Sequence, residues 1–547
     1  MIFARAERRT LDIAGALALG GVLAFVGVAT AVLLAHAGSG AGAGAGAGAP
    51  LFDAYILRVA RFTFLQAALS TLLSVALAIP VARALARQRA FLGRVWILRL
   101  SAVPLGLPAL VAALGVIEIW GRQGVVNDLL RLAGLQNPVS VYGLTGILIA
   151  HVFFNLPLAV RFLVAALDRI PAEYWLSSAN LGMGGVAVFR LIEWPVIRRV
   201  LPGIAGLVFM LCATSFTLVL TLGGGPAATT IEVAIYQALR FDFDPARAVL
   251  LAFLQIAVTA LLLFVLSLFG RPQDEGVTAG RAIRRFDGRR RRVTDGLVIL
   301  AFTLFTAAPL LATLVSGLAA DFGRLALDPM LHRALLTSLA ISLASASLSL
   351  AIALPVVLVP QLAESGAAGP ARLIMAGALP AVGSLILLVP PVVVATGWFL
   401  MLRLFGETGR FAPAIVTVIN ALMALPFVVR VLGPAYRTHL ARTARLALSL
   451  GITGPRRLMT IDWPALKKPF LTAFAFAMAL SLGDLGAVAI FGAEGFVTLP
   501  WLLYSRMASY RTADAAGIAL ILGVLCLLLT LPSTAPERVP ERPGPDA

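Results

Sequence analysis

The chain has 547 residues, 60% of them hydrophobic and only 13% charged, with a mean hydropathy of +0.95. Soluble domains carry about 25% charged residues, so the composition excludes an ordinary water-soluble enzyme or binding module and calls for a bilayer. The formal charge of +18 is almost all arginine, since Lys467 and Lys468 are the only lysines. The arginines fall in short segments between apolar runs, which is the positive-inside pattern and not a nucleic-acid surface.

About twelve apolar stretches are long enough to span, near 12–35, 62–84, 100–120, 141–166, 200–222, 247–270, 295–318, 334–358, 373–402, 411–434, 469–491 and 515–532. The expected fold is therefore an all-α polytopic membrane protein. Arg5, Arg8 and Arg9 precede the first stretch, and Arg83, Arg87, Arg89, Arg94 and Arg99 lie between the second and third. Both segments are expected in the cytoplasm. Parity then places 167–199, 271–294, 359–372 and 435–468 inside, with both termini cytoplasmic. The first stretch and Ala35-His36-Ala37 imitate a secretory signal, but the apolar run is longer than a signal core, which favours a retained anchor. Gly-Ala alternation from Gly40 to Ala49 reads as a flexible external linker. Cys212 and Cys526 sit in apolar runs, with no cluster around them for a metal, and are expected to be inert thiols.

The stretches divide six and six at an arginine-rich segment, 271–294, read as a cytoplasmic linker between halves 1–270 and 295–547. An internal repeat supports that division. N-L-P-L-A-V-R from Asn155 recurs as A-L-P-F-V-V-R from Ala424, L-G-M-G from Leu181 as L-G-I-T from Leu450, and I-E-W-P from Ile192 as I-D-W-P from Ile461. Pro157 and Pro426, Gly182 and Gly451, and Pro195 and Pro464 are all 269 apart. Six crossings lie between equivalent points, so both halves keep one orientation and form parallel repeats. A weaker echo pairs Pro108 with Pro390 and Gly115 with Gly397, at an offset of 282. These residues interrupt the third and ninth stretches, as a tolerated kink or as a gate along a transport path.

Each half carries one long inside loop, 171–199 and 441–468, too polar to span and too apolar to be disordered. Helical spacing broken at Gly182 and Gly451 suggests a short helix, a tight glycine turn and a second helix leading to a proline. These loops resemble the EAA motif of bacterial ABC-importer permeases. Glu173, Ala179, Gly182, Ile192 and Pro195 carry the likeness in the first copy, and Gly451, Ile461 and Pro464 in the second, where Arg442 stands in place of the acid. In that family the loop docks on a separate cytoplasmic ATPase. The chain has no G-x-x-x-x-G-K-[ST] phosphate loop of its own.

The likeness runs over essentially the whole chain and narrows. W-G-R-Q-G (Trp120–Gly124), H-V-F-F-N-L-P (His151–Pro157), the glycine-rich run from Leu222 through T-I-E-V-A-I-Y-Q-A-L, F-D-P-A-R-A (Phe243–Ala248) and S-L-G-D-L-G (Ser481–Gly486) resemble the thiamine/thiamine-pyrophosphate branch of these permeases. The likeness implies two copies of an ATPase subunit, a periplasmic thiamine-binding protein, the bacterial inner membrane, no cofactor and no catalytic residue in this chain. Iron(III) permeases share the fused design. An ion-coupled secondary transporter also has twelve spans in two parallel halves, but the loop 83–99 lacks that class's G-x-x-x-D pattern.

Among single residues, Asp484 lies in the eleventh stretch and is a candidate for the path, since an ionisable group at that depth is costly. Pro108 and Pro390 are candidate gate positions. Glu118 is expected at an interface, His151 as a structural hydrogen-bonding residue, and Gly223–Gly225 as an external turn. A path for thiamine and its pyrophosphate should hold no strong fixed charge of either sign, which suits isolated acids such as Asp484.

Overall fold

The computed structural model describes residues 5–38, 53–89, 91, 93–134, 140–268, 289–364, 369–406, 408–452, 454–492 and 496–530. The Gly-Ala linker at 40–49 and positions 271–288 of the basic linker lie outside them. Among the described residues the protein is all-α, with no strand. Two 34-residue helices open the chain, α1 (Arg5–Gly38) and α2 (Ala54–Arg87). Asp53 starts α2 by accepting the Ile56 amide at 2.7 Å, satisfying one of the donors that a helix start leaves open. The third expected stretch is broken into α3 (Arg94–Leu100), α4 (Val103–Gly106) and α5 (Ala109–Trp120), with Pro108 just ahead of α5. Proline lacks the amide that would carry the helix through.

α6 (Val125–Leu132) and α7 (Leu144–Asp168) follow. Then α8 (Ala172–Asn180) and α9 (Gly185–Val188) lead through a π-turn at Phe189–Glu193 into α10 (Trp194–Ala213). The first part of the chain ends with α11 (Thr217–Leu222), α12 (Ile231–Arg240) and α13 (Pro245–Leu268). The second contains α14 (Arg289–Leu318), α15 (Phe322–Ala326), α16 (Pro329–Glu364), α17 (Pro370–Leu388) and α18 (Pro391–Leu404). It continues through α19 (Thr408–Ser449), α20 (Gly454–Arg457), a π-turn at Leu458–Asp462, α21 (Trp463–Leu482), α22 (Gly486–Phe491), α23 (Leu499–Ala508) and α24 (Thr512–Thr530).

Eleven helical stretches among the described residues are long and apolar enough to cross a membrane, so this is a multi-pass membrane protein. The ninth expected stretch, 373–402, departs from a single crossing: Pro390 parts it into α17 and α18. Two further helices, α12 and α23, were not among the expected elements. At ten residues each they cannot span, and they are packed inside the protein instead. Each is docked by a hydroxyl. The Ile231 amide donates to Thr63 Oγ1 at 3.1 Å, and the Leu499 amide to Ser338 Oγ at 2.8 Å. Such interhelical polar contacts hold helices together where lipid offers no hydrophobic gradient.

The two parts of the chain are interlocked. α1 packs on α16, α17 and α18, whereas α14 packs on α2 and α5 as well as α24. Two glycines permit the close approaches. A Cβ on Gly397 would lie 2.4 Å from the Ala29 carbonyl oxygen, and one on Gly115 2.4 Å from that of Pro309. Stacked rings, Phe25 on Trp398 with centroids 4.8 Å apart, seal the first contact. Ion pairs tie the basic segments to one another. Arg372 pairs with Asp12, Arg94 with Asp168 at 2.7 Å, and Arg87 with Asp295 at 2.6 Å. The start of α14 thus lies beside the end of α2, and the start of α17 beside the start of α1.

Candidate functional site

Each loop with EAA character is built around a left-handed glycine. Gly182 has φ +60° and Gly451 φ +64°, a conformation that costs an L residue about 1–2 kcal/mol. Ahead of Gly182, α8 buries Ala172, Trp175 and Ser178 at helical spacing and leaves Tyr174, Leu176 and Ala179 outward. Glu173 is exposed in its first turn, where an acid suits the helix dipole. The second loop departs from the expected short helix. α19 runs unbroken to Ser449, and Arg442 lies exposed within it. Pro171 starts α8 in the first copy, whereas its mate 269 residues on is Leu440, which lets the helix continue. With no helix start near Arg442, the dipole reason for an acid there disappears.

After each glycine the chain re-enters the bundle through a five-residue π-turn, Phe189–Glu193 and Leu458–Asp462, and Pro195 and Pro464 stand in the first turn of the helices that follow. Ile192 is buried beneath the first π-turn and Ile461 is half-buried at the second. The acid between them, passed over in the sequence reading, is the anchor. Glu193 accepts from Arg83 Nε at 2.6 Å, and the Arg83 guanidinium lies over the Phe189 ring at 4.0 Å. Asp462 pairs with His439 at 2.7 Å and Arg457 at 3.4 Å. The partners come from different helices, Arg83 from α2 and His439 and Arg457 from α19 and α20, so no shared offset signals them. Leu181 and Leu450, each just before its glycine, are 76% and 61% exposed and present an apolar residue at the same point of both loops.

Pro108 and Pro390 precede α5 and α18 at full helix breaks rather than kinks. Asp484 is not within a continuous span. It lies in the break between α21 and α22, where its carboxylate accepts the Gly486 and Ala487 amides at 3.2 and 3.3 Å. The break recurs 269 residues earlier, at Ser215 between α10 and α11. The structure brings Asp484 and Pro108 together, since Pro108 packs on Gly483. Nor is Asp484 an isolated acid: Glu232 of α12, buried, lies near enough for their charges to interact. Glu232 was missed because its helix is too short to register as a span. Glu118 hydrogen-bonds Ser316 of α14, and His151 Nδ1 lies 3.0 Å from Ser70 Oγ. Gly224 and Gly225 form a positive-φ turn after α11. Among the described residues no cluster of metal-ligating side chains occurs.

No family model matches the chain. It is 52% identical over 528 residues, 96% of its own length and 95% of the relative's, to the thiamine transport system permease protein ThiP of Brucella abortus. The protein of that name from Escherichia coli is 45% identical over 90% of both chains, and that from Haemophilus influenzae 39% identical over 87% of this chain and 88% of its own. A molybdenum transport permease, ModB of Mycobacterium bovis, shares 31% identity over 36% of this chain. Identity of this extent over most of the chain establishes that it belongs to the thiamine transport system permease family.

Proposed function

We propose that the chain is the membrane-spanning subunit of an ATP-driven importer of thiamine or its phosphate esters, and not an enzyme. The observation that carries this reading is identity to thiamine permeases over nearly the whole chain, combined with two loops that each turn at a left-handed glycine and re-enter the bundle through a π-turn. In the proposal, 1–270 and 295–547 are parallel halves joined by 271–294, both termini face the cytoplasm, and the membrane is the bacterial inner membrane. Two copies of an ATPase subunit dock at 171–199 and 441–468, and a thiamine-binding protein delivers substrate at the opposite face. Exposed Leu181 and Leu450 would enter the ATPase surface beside Gly182 and Gly451. Ion pairs at Glu193 and Asp462 would pass the movement of each loop into α10 and α21. The breaks at Pro108, Pro390, Ser215 and Asp484 would let those helices yield as access alternates.

The test is uptake of labelled thiamine by the complex reconstituted with its ATPase and binding protein. Gly182→Trp and Gly451→Trp should insert normally yet lose at least tenfold in ATP-dependent uptake. Wild-type rates in both variants would refute the docking assignment. Uptake that persists after proton-gradient collapse separates this reading from ion coupling. In a strain with no second importer, normal growth on low thiamine after deletion, with loss of ferric-iron uptake, would move the substrate to iron.

A further inference from the structure

Two acids and three aromatic rings meet where the helices break. Glu232, in the first turn of α12, is 2% exposed, and its Oε1 has no hydrogen-bond partner. One turn further along the same face, the Tyr236 ring stands edge-on to Phe216, with centroids 5.6 Å apart. Phe216 reaches the break that holds Asp484: a Cβ on Gly486 would lie 3.7 Å from Phe216 Cδ1 and 3.6 Å from Asp484 Oδ1. Tyr504 of α23 is close enough to Tyr236 for the two phenols to interact electrostatically. Glu232 lies within reach of the charge on Asp484, and among the described residues neither acid forms an ion pair with an arginine or lysine.

Asp484 has a structural use as the cap of α22, but Glu232 has none. An exposed acid in a helix's first turn is favoured by the dipole, whereas a buried one facing a second carboxylate pays for desolvation and for repulsion. Ionisable groups placed so within a membrane protein mark a route for ions or substrate. The missing counter-charge is a cation, and the walls are ring faces and edges suited to a flat one.

We propose that Glu232 and Asp484, walled by Tyr236, Tyr504 and Phe216, bind the positively charged aromatic ring of the substrate as it passes through the protein. The ligand class is a planar cationic heteroaromatic ring, the thiazolium that thiamine and its phosphate esters share, whatever the net charge of the whole molecule. The inference rests on the thiamine reading and adds to it a place and a contact. It replaces the expectation of a path with only isolated acids by one with a paired anionic station.

The test uses the reconstituted complex with Cys212 and Cys526 replaced by alanine and Glu232→Cys introduced, assayed without nucleotide and in the vanadate-trapped state. A cationic methanethiosulfonate reagent should modify this cysteine at least tenfold faster than an anionic one, because Asp484 remains. Millimolar thiamine should slow the reaction, and adding Asp484→Asn should shrink the preference. Separately, Glu232→Gln should lower uptake at limiting thiamine at least tenfold, with Glu118→Gln, a half-buried acid away from the site, as a control that transports normally. Equal rates for the two reagents with no protection, no reaction in either state, or wild-type uptake by Glu232→Gln would each overturn the proposal. If the wild-type complex accumulates no thiamine, the thiamine reading itself fails; wild-type uptake without charge preference sinks only the acid–aromatic site.

Discussion

Glu193 and Asp462 show what one residue does for a loop. Each stands in the π-turn between a loop and a bundle helix: Glu193 is held by Arg83 of α2, and Asp462 by His439 of α19 and by Arg457 just ahead of its own turn. Glu193 is 1% exposed, so its pairing with Arg83 takes place away from most water. Removing Glu193 leaves the Arg83 guanidinium, 21% exposed, without its carboxylate, a loss of about 1–2 kcal/mol. Glu193→Ala should therefore lower the thermal midpoint of the purified protein and open 171–199 to limited proteolysis, while Glu193→Gln, which can still accept from Arg83, should lose less. Equal behaviour of the two variants would show that the pair does not hold the loop. The Glu-Trp-Pro and Asp-Trp-Pro sequences were visible beforehand; that the acid is the anchored member was not, because Arg83 lies 110 residues away.

Among the elements, the helices that cross between the two parts of the chain depend on contacts with no room for a side chain. Gly115 meets the backbone of α14 and Gly397 that of α1, where a carbonyl cannot swing aside as a flexible side chain would. A helix glycine ordinarily costs about 1 kcal/mol relative to alanine, so its presence at these two points reflects backbone approach. Gly115→Val and Gly397→Val should each reduce the yield of folded protein and lower its thermal midpoint by several degrees, whereas Gly21→Ala, with nothing within 4 Å, should be neutral or slightly stabilising. If all three behave alike, the interlocked packing is wrong. The 282-residue offset singled out Gly115 and Gly397 from sequence, but not the helices they meet. An offset records likeness between copies and carries no information about which copy packs on which.

For the whole molecule, the ion pairs predict a sidedness that labelling can check. Arg291 lies against Gly185, and Arg87 is paired with Asp295, so the start of α14 shares a face with the first loop. Cysteines placed at Gly182 and Arg292 should both react only with reagent admitted to the cytoplasmic side. One placed at Gly44, in the Gly-Ala linker, should react only from outside. External labelling at Arg292 would invert the assignment of both halves. By itself the sequence determined the all-α membrane class, most of the crossings, where prolines interrupt them, the two glycine turns and the 269-residue repeat. These depend on local composition, helix length and backbone conformation, which neighbouring residues dictate. The tertiary structure alone decided that α12 and α23 pack within the protein, that α1 crosses to α18, and that Glu232 comes within reach of the charge on Asp484. Each of these depends on partners brought together across hundreds of residues, where packing and charge act through space and leave no periodic trace along the chain.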